Sequence, residues 1–283
     1  MIKLLEKKRL CLYTSTVSGR ASAREIIAAA SGFGVGGVEL MSFCDEMRTP
    51  DPRMARALCS EARDLGLALP CFSVYADLYR DFDAERDRLK RYAQICAENS
   101  IPLLHHTVDP DLSLFTLSVS ERRERFLRMS ERLMKAVEFT ESVGVATVIE
   151  DQGFIFNGSK ALCELVKVTS GRVDILADIG NCHFVDEDIS GIVGALSERI
   201  KHAHIKDYRV TGAPIPNQRS CKTQNGRYLT DCEIGVGDIG VSDAIATLEG
   251  AGYKGMYSLE FAKLSSDDEP LRVIERLTGS DRV

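Results

Sequence analysis

The sequence lacks the excess of basic residues that a nucleic-acid-binding protein needs. Its 36 Lys and Arg are outnumbered by 42 Asp and Glu, which gives a formal net charge of −6. A negative long-range field repels a phosphate backbone. The charge balance therefore argues against a nucleic-acid partner, although a local basic pocket would still be compatible with it.

Cysteine pairs and long apolar runs are also missing. None of the nine cysteines forms a C-x-x-C pair, and their odd number leaves no complete disulfide framework, so we expect reduced thiols rather than a zinc ribbon. The opening MIKLLEKKRL has no apolar stretch of signal-peptide length, and the most membrane-like window, 26–40, contains four glycines, Ser31 and Glu39. We therefore expect a cytoplasmic protein without a membrane partner.

No linker rich in Pro, Gly or Ser divides the 283 residues. The chain instead alternates short apolar, β-rich runs with longer amphipathic segments, which is typical of βα units and a parallel sheet. Eight such units predict one α/β domain over residues 1–283, a (β/α)8 TIM barrel, with an open doubly wound sheet as the alternative. The predicted strands are 9–13, 37–41, 68–74, 102–108, 146–150, 173–178, 200–206 and 256–261, and the predicted helices are 23–30, 51–65, 84–99, 120–143, 159–169, 189–197, 242–251 and 268–277.

The connection after the seventh strand is long and polar. It contains Pro214, Pro216 and a run of hydrophilic residues from Asn217 to Arg227. Long connections on the carboxyl side of barrel strands commonly cover active sites. We therefore predict a lid loop over residues 208–238, mobile without ligand and closing over the barrel mouth.

Polar side chains close most of the predicted strands. The carboxyl ends of the strands form the active-site rim of a parallel barrel, so a charged residue ending an apolar strand is informative. Strand alternation places Val148 with Glu150, and Leu176 with Asp178, on one face. The polar set near these strand ends consists of Glu39, His105, His106, Glu150, Asp178, His204, Lys206 and Glu260.

Four of these residues, Glu150, Asp178, His204 and Glu260, lie on the last four predicted strands. Grouping like charges costs on the order of several kcal/mol per ion unless a cation neutralises them. Any one carboxylate could be a structural ion-pair partner, but the group predicts a divalent metal site. The spacing agrees, since the steps of 28 and 26 residues between the first three are each near the roughly 30 residues of one βα repeat.

Six segments at strand ends and glycine turns form a set of motifs, and they are Gly-Val-Glu39-Leu, Ile-Glu150-Asp, Ala-Asp178-Ile-Gly-Asn181, His202-Ala-His204-Ile-Lys206-Asp207, Gly235-Val-Gly237-Asp-Ile and Gly252-Tyr-Lys-Gly255-Met-Tyr-Ser-Leu-Glu260. Together they resemble the motifs of one known family, the sugar phosphate isomerase/epimerase family with the xylose-isomerase-like TIM barrel. The resemblance runs in the same order from about residue 10 to 262. Inosose dehydratases and endonuclease IV belong to the same superfamily.

The resemblance implies one divalent ion, with Mn²⁺ preferred over Mg²⁺, Co²⁺ or Zn²⁺, bound by the four residues just described. It also implies that Glu150 and Glu260 form the acid/base pair. The chain departs from the ketose epimerases of the family at Asn181, where they usually have a substrate-binding histidine, and His183 follows two residues later. This departure bears on the identity of the sugar rather than on the fold.

These features predict a metal-dependent isomerase or epimerase of a ketose, keto-sugar or sugar phosphate. The main alternative is a metal-dependent dehydratase, a lyase, acting on a cyclitol or keto acid. An apurinic endonuclease-like phosphodiesterase fits less well, because the chain's few histidines do not match its histidine-rich zinc cluster. A non-catalytic sugar-binding barrel is the remaining alternative, and homo-oligomer formation is left open.

The partner predicted by this interpretation is a small sugar or sugar phosphate. Of the adjacent histidines on the fourth strand only one can face the barrel interior, and we favour His106 because it is nearer the rim. Lys206 and Arg209 could hold a phosphate or a hydroxyl. The complete set of predicted substrate contacts is Glu39, His106, Asn181, His183, Lys206 and Arg209.

Two segments, 32–37 and 235–240, match G-x-G-x-x-G. The first is preceded by a helix and followed by a strand, the reverse of a dinucleotide fingerprint, so it predicts a tight turn. The second opens onto a helix whose N-terminus could hold an anionic or hydroxyl group of a substrate. A structural turn is the alternative interpretation of the second segment.

Overall fold

Eight parallel strands form a closed barrel in the computed structural model, which describes residues 4–14, 22–261 and 266–279. Each strand pairs with the next along the chain, and the last one pairs with the first. The prediction of a (β/α)8 TIM barrel is confirmed. The barrel strands are β1 (Leu10–Tyr13), β2 (Gly37–Met41), β3 (Cys71–Val74), β4 (Leu103–His106), β5 (Ala146–Glu150), β6 (Asp174–Asp178), β7 (Ile200–Ile205) and β11 (Tyr257–Leu259).

The helices surround this barrel and begin at side-chain caps that the sequence supplies. Ser22 and Ser118 each form a capping box with the glutamate three residues later, and the Asp51 carboxylate accepts the first free amides of its helix. Most boundaries lie within a few residues of the predicted ones. The helices are α1 (Ala23–Phe33), α2 (Pro52–Asp64), α3 (Phe82–Glu98), α4 (Val119–Ser142), α5 (Ser159–Val168), α6 (Ile189–Leu196), α7 (Val241–Gly250) and α8 (Glu269–Thr278).

None of the helices in the described part of the chain combines the length and the apolar character that crossing a membrane requires. Most of the buried apolar side chains instead form one large core cluster, contributed by the helices and the strands.

The barrel interior contains a separate apolar layer. Cys71, Val148 and Leu176 form a small buried cluster, and Leu103 packs against it. Val148 and Leu176 lie two residues before Glu150 and Asp178, so strand alternation points all four toward the barrel axis. The apolar layer therefore lies beneath the polar carboxyl ends of the strands.

Residues 208–238 contain a small antiparallel sheet, where the sequence analysis predicted only a lid loop. The strands β8 (Tyr208–Thr211), β9 (Ser220–Lys222) and β10 (Tyr228–Asp231) pair in the order β8-β10-β9. The turn after β9 is held against the barrel, because Asp186 accepts a hydrogen bond from the Thr223 hydroxyl at 3.0 Å and from the Asn225 amide at 2.8 Å. The segment is thus a docked sheet, and its movement on ligand binding stays a prediction.

The buried carboxylate of Asp207 fixes the return of this segment to the barrel. It accepts hydrogen bonds from the backbone amides of Tyr208, Gly235 and Gly237 at 2.8–2.9 Å. A β-carbon at position 237 would collide with this carboxylate, which explains the glycine. The second G-x-G-x-x-G segment therefore binds an anionic group, but that group is the chain's own Asp207.

Candidate active site

The four predicted metal ligands lie together at the carboxyl ends of adjacent strands. Glu150 and Asp178 are the last residues of β5 and β6, His204 is the penultimate residue of β7, and Glu260 follows β11. Each offers one ligand atom, and all these atoms lie within 4.8 Å of one another. The structure therefore contains a buried Glu/His/Asp cluster that could hold a metal ion.

The Asp178 carboxylate provides a direct test of whether this cluster suits a cation. Its Oδ1 accepts hydrogen bonds from the amides of Gly180 and Asn181 at 2.8 and 3.0 Å, which turns Oδ2 toward the cluster. Oδ2 is buried and accepts no hydrogen bond, although the Lys206 ammonium lies 3.1 Å away. A carboxylate oxygen that accepts no hydrogen bond and lies beside two further carboxylates and an imidazole suits a hard or borderline divalent ion.

Lys206 is the cation that the chain itself brings to the cluster. Its Nζ lies 3.1 Å from Asp178 Oδ2 and 3.0 Å from Glu260 Oε1. Burial alone would lower the pKa of Lys206, but the Asp178 and Glu260 carboxylates raise it well above the usual value. The ammonium therefore remains charged and offsets part of the negative charge of the cluster.

The carboxylates respond differently to this environment. Burial raises the pKa of Asp178 to about 7, although Lys206 acts in the opposite direction. Burial would also raise the pKa of Glu260, but Lys206 and His204 outweigh it and lower that pKa to about 2. Glu260 is thus ionised at neutral pH. Asp178, whose Oδ2 accepts no hydrogen bond, is ionised less readily than Glu260.

A cavity of about 270 Å³ opens above the cluster. Glu150 and Glu260 line its wall, together with Asn181 and Lys206, while Asp178 and His204 are completely buried below. The segment that carries β8 to β10 contributes Tyr208, Arg219, Cys221 and Asp231 to the lining. Five aromatic side chains also line the cavity, namely Tyr13, Phe43, Tyr75, Phe184 and Phe261.

Two of the six predicted substrate contacts, Asn181 and Lys206, line this cavity. Asn181 donates a hydrogen bond from Nδ2 to Glu150 Oε1 at 3.1 Å, and its Oδ1 lies 3.4 Å from both Lys206 Nζ and the Tyr208 hydroxyl. This bridge connects the two glutamates through Asn181 and Lys206. It places polar groups where a substrate hydroxyl could contact them.

The structure places the other four predicted contacts elsewhere. Glu39 is completely buried beneath the cavity and is bonded to histidines and hydroxyls. His183 lines a different surface pocket, beside the start of α7. Arg209 is exposed on β8 and does not line the cavity, whereas Arg219, from the same segment, does. His106, the fourth, does not line this cavity either.

The two histidines of β4 are oriented opposite to the expectation. His105 lines the main cavity and shares a hydrogen bond with the Ser73 hydroxyl at 2.7 Å, while His106 faces outward and its Nδ1 lies 2.9 Å from its neighbour's carbonyl oxygen. The reason is strand register, because His105 pairs with the inward-facing Val148. Nearness to the rim was the wrong criterion, and the strand itself offered no better one, because Leu103 and Leu104 are both apolar.

Asp151 is a buried residue to which the sequence analysis gave no role. Its Oδ1 accepts a hydrogen bond from the Asp178 amide at 2.7 Å, so it helps to place the end of β6. Burial and the nearby Asp178 carboxylate raise the pKa of Asp151 well above its usual range. Its position directly after Glu150 was the available signal.

A sequence model of the xylose isomerase-like TIM barrel family matches residues 27–277. The chain belongs to this family. No curated protein matches the sequence closely enough to count as a relative. This membership agrees with the closed barrel and with the resemblance carried by the motifs of β2 and of β5 to β7, and by Glu260 after β11.

Solved structures with the same fold share little sequence with this chain. The probable 3-DHS dehydratase AsbF of Bacillus anthracis superposes with a TM-score of 0.74 at 16% identity over 95% of this chain and 98% of its own. The 3-keto-D-glucoside 4-epimerase of E. coli gives 0.72 at 13% over 95% and 97%. The D-psicose 3-epimerase of Clostridium cellulolyticum H10 gives 0.67 at 13% over 94% and 89%. At this identity the likeness shows the shared fold.

Proposed function

We propose that this chain is a metal-dependent isomerase or epimerase of a ketose, keto-sugar or sugar phosphate. The observation that carries the proposal is the pair of glutamates, Glu150 and Glu260, that line one small cavity and both approach Nδ1 of His204. Glu260 Oε2 and Glu150 Oε1 lie 3.1 and 3.5 Å from its Nδ1. Two carboxylates beside one cation site are the arrangement that proton transfer next to a carbonyl requires.

Glu150, Asp178, His204 and Glu260 would hold the divalent ion, and we propose Mn²⁺ first, with Mg²⁺, Co²⁺ or Zn²⁺ as alternatives. The bound ion would polarise the substrate carbonyl and acidify the neighbouring C–H. One glutamate then accepts the proton from that carbon, and the second returns a proton to the other face. Asn181 and Lys206 hold the two carboxylates in place, and the β8–β10 sheet limits the access of water to the cavity.

Two of the solved structures described above bear epimerase names, which supports this choice of reaction. The E. coli protein is titled a 3-keto-D-glucoside 4-epimerase and the Clostridium protein a D-psicose 3-epimerase. The substrates in these titles belong to those proteins. They provide the chemical classes with which a search for the substrate of this chain should begin.

A dehydratase is the second candidate, and Lys206 is the observation that favours it. Its ammonium lies 3.0 Å from Glu260 and lines the cavity, so it could protonate a departing β-hydroxyl after Glu260 has taken the α-proton. The superposition on the probable 3-DHS dehydratase of Bacillus anthracis is compatible with this chemistry. The two candidates differ in their product, since only the dehydratase releases water.

The test is solvent deuterium exchange with a panel of ketoses, inososes and sugar phosphates in D₂O, measured by NMR with Mn²⁺-loaded protein. We expect deuterium to enter the position next to the carbonyl of at least one compound. Glu260→Gln should slow this exchange by roughly 10² to 10⁴-fold, because it removes the base while preserving the size of the side chain. Exchange without loss of water supports the isomerase, and elimination supports the dehydratase.

The matched control is Glu131→Gln, at an exposed position of α4. It should exchange at the wild-type rate. Exchange by Glu260→Gln at that same rate would show that Glu260 is not a base and would contradict the proposed mechanism.

A further inference from the structure

A further carboxylate, that of Glu39, lies below the cavity in a network of hydrogen bonds. Glu39 is completely buried. Its Oε2 accepts hydrogen bonds from His202 Nε2 at 2.8 Å and from the Ser258 hydroxyl at 2.5 Å, and its Oε1 accepts one from the Ser73 hydroxyl. His204 Nε2 lies 3.1 Å from Oε2 and 3.3 Å from Oε1.

This network is not a second metal site, although Glu39, His202 and His204 come close enough to one another to suggest one. Both oxygens of Glu39 already accept a hydroxyl hydrogen bond, whereas Asp178 Oδ2 accepts none. A cation between Glu39 and the histidines would have to displace these bonds. The network is therefore organised to hold Glu39 itself in place.

The orientation of the His204 ring gives Glu39 a role. Nε2 faces Glu39, while Nδ1 faces the upper cluster, 3.1 Å from Glu260 Oε2. The Tyr13 ring, 4.8 Å from the imidazole centre, packs against the ring. A neutral imidazole has one N–H and one lone pair, so a bond from Nε2–H to Glu39 leaves the Nδ1 lone pair for the cation.

We propose that Glu39 is the positioning residue of the metal site: by accepting the Nε2–H of His204, it fixes the tautomer and the ring orientation that present Nδ1 to the cation. The inference rests on the metal site of the proposed function and extends it to a residue outside the cavity. Carboxylates that accept the second N–H of a metal-bound histidine orient the ring and strengthen its binding.

The positions of the partners explain how Glu39 acts across the barrel. Glu39 is on β2 and His204 is on β7, so their bond spans the interior rather than neighbouring strands. Ser73 on the adjacent strand β3 and Ser258 on β11 hold the carboxylate from two sides. The half of the barrel that supplies none of the four ligands thus contributes the group that orients one of them.

The first test is calorimetric titration of metal-free protein with Mn²⁺. Glu39→Ala should bind Mn²⁺ about 10- to 100-fold more weakly than the wild type. Glu39→Gln should restore most of this affinity, because its amide oxygen can still accept the Nε2–H. The matched control is Glu249→Ala, which removes a glutamate that bonds to Arg9 and to the Tyr257 hydroxyl away from the cavity, and it should leave the affinity unchanged.

The outcomes separate this inference from the proposed function. A wild-type protein that binds no Mn²⁺ would overturn the metal site and the inference with it. Wild-type affinity in Glu39→Ala would overturn the positioning role alone. A similar loss in Glu249→Ala would also overturn it, since general destabilisation would then account for the effect.

A second measurement covers the case in which Glu39→Ala fails to fold. Two-bond ¹H–¹⁵N correlation spectra of ¹⁵N-histidine-labelled wild type, loaded with Zn²⁺ as a diamagnetic probe, report the tautomer of each ring. The His204 signals are assigned from their absence in His204→Gln. We expect a protonated Nε2 and a metal-bound Nδ1, and a protonated Nδ1 would overturn the inference.

Discussion

The two clusters of buried side chains that meet at His204 both contain glutamate and histidine but differ in what surrounds their carboxylate oxygens. Below the ring, Glu39 accepts hydrogen bonds from two hydroxyls and His202. Above it, Asp178 keeps one oxygen without a hydrogen bond beside two more carboxylates. The imidazole of His204 thus joins a lower network, in which both oxygens of Glu39 accept hydrogen bonds, to an open upper cluster, in which one oxygen of Asp178 accepts none.

The difference also shows in the pKa values of two equally buried carboxyls. Burial would raise the pKa of Glu39, but His204 and His202 hold it well below its usual range. For Asp178, burial prevails over Lys206, and the nearby Glu260 and Glu150 add to it, so the pKa rises to about 7. A buried charge is stable where enough partners surround it, and the carboxylates above the ring, with Lys206 as their counter-ion, form a cluster that could hold a further cation.

The largest expected effect comes from breaking the open cluster. Asp178→Asn should weaken binding of Mn²⁺ to the metal-free protein by about 100-fold or more, because it replaces an anionic ligand by a neutral one. The measurement is calorimetric titration. Asp174→Asn, at the other end of β6 and paired with Arg199, is the control and should bind as the wild type does. Equal affinities for all three proteins would mean that the upper cluster is structural.

A smaller effect, of opposite sign, is expected from removing the cation that the chain supplies. Lys206→Met should tighten Mn²⁺ binding about 10-fold, because the ammonium competes for Asp178 and Glu260 before binding and repels the ion afterwards. The metal-free variant should melt at a lower temperature than the wild type, since its carboxylates lose their counter-ion. Unchanged or weaker binding would show that Lys206 does not oppose the metal.

The smallest expected effect comes from replacing His105 of β4, and replacement of the adjacent His106 is its control. His105 lies 3.6 Å from Glu150 Oε2 and contacts Ser73, so it touches both clusters. His105→Asn should weaken Mn²⁺ binding by a few-fold, whereas His106→Asn should leave it unchanged because His106 faces away from the interior. Titration of both variants compares them directly, and the reverse order of effects would contradict the orientation seen here.

The sequence was sufficient for the barrel and for the clustering of four polar side chains, because both depend on local periodicity. Strand alternation aligned Glu150 with Val148 and Asp178 with Leu176, and parallel strands place their carboxyl ends at one rim. The same reasoning could not choose between His105 and His106. That choice depends on the register between β4 and β5, which is a property of the pair of strands.

Residues 208–238 also combine a feature that the sequence predicted with one that depends on the tertiary structure. Their polar composition predicted a connection at the barrel mouth, and Arg219, Cys221 and Asp231 indeed line the cavity. Their pairing into the β8–β10 sheet was missed, because its strands are only three or four residues long. The segment is also held by Asp207, directly before it, and by the more distant Asp186. Short strands carry little periodic signal of their own.

By itself, the sequence determined the (β/α)8 architecture and the gathering of Glu150, Asp178, His204 and Glu260, because each follows from the pattern within one strand and from the common direction of parallel strands. Only the tertiary structure decided what Glu39 does. Its partner His204 is 165 residues away in the chain and lies across the barrel interior. A hydrogen bond between such distant side chains depends on how the whole barrel closes, since closure alone sets which side chains meet at its axis.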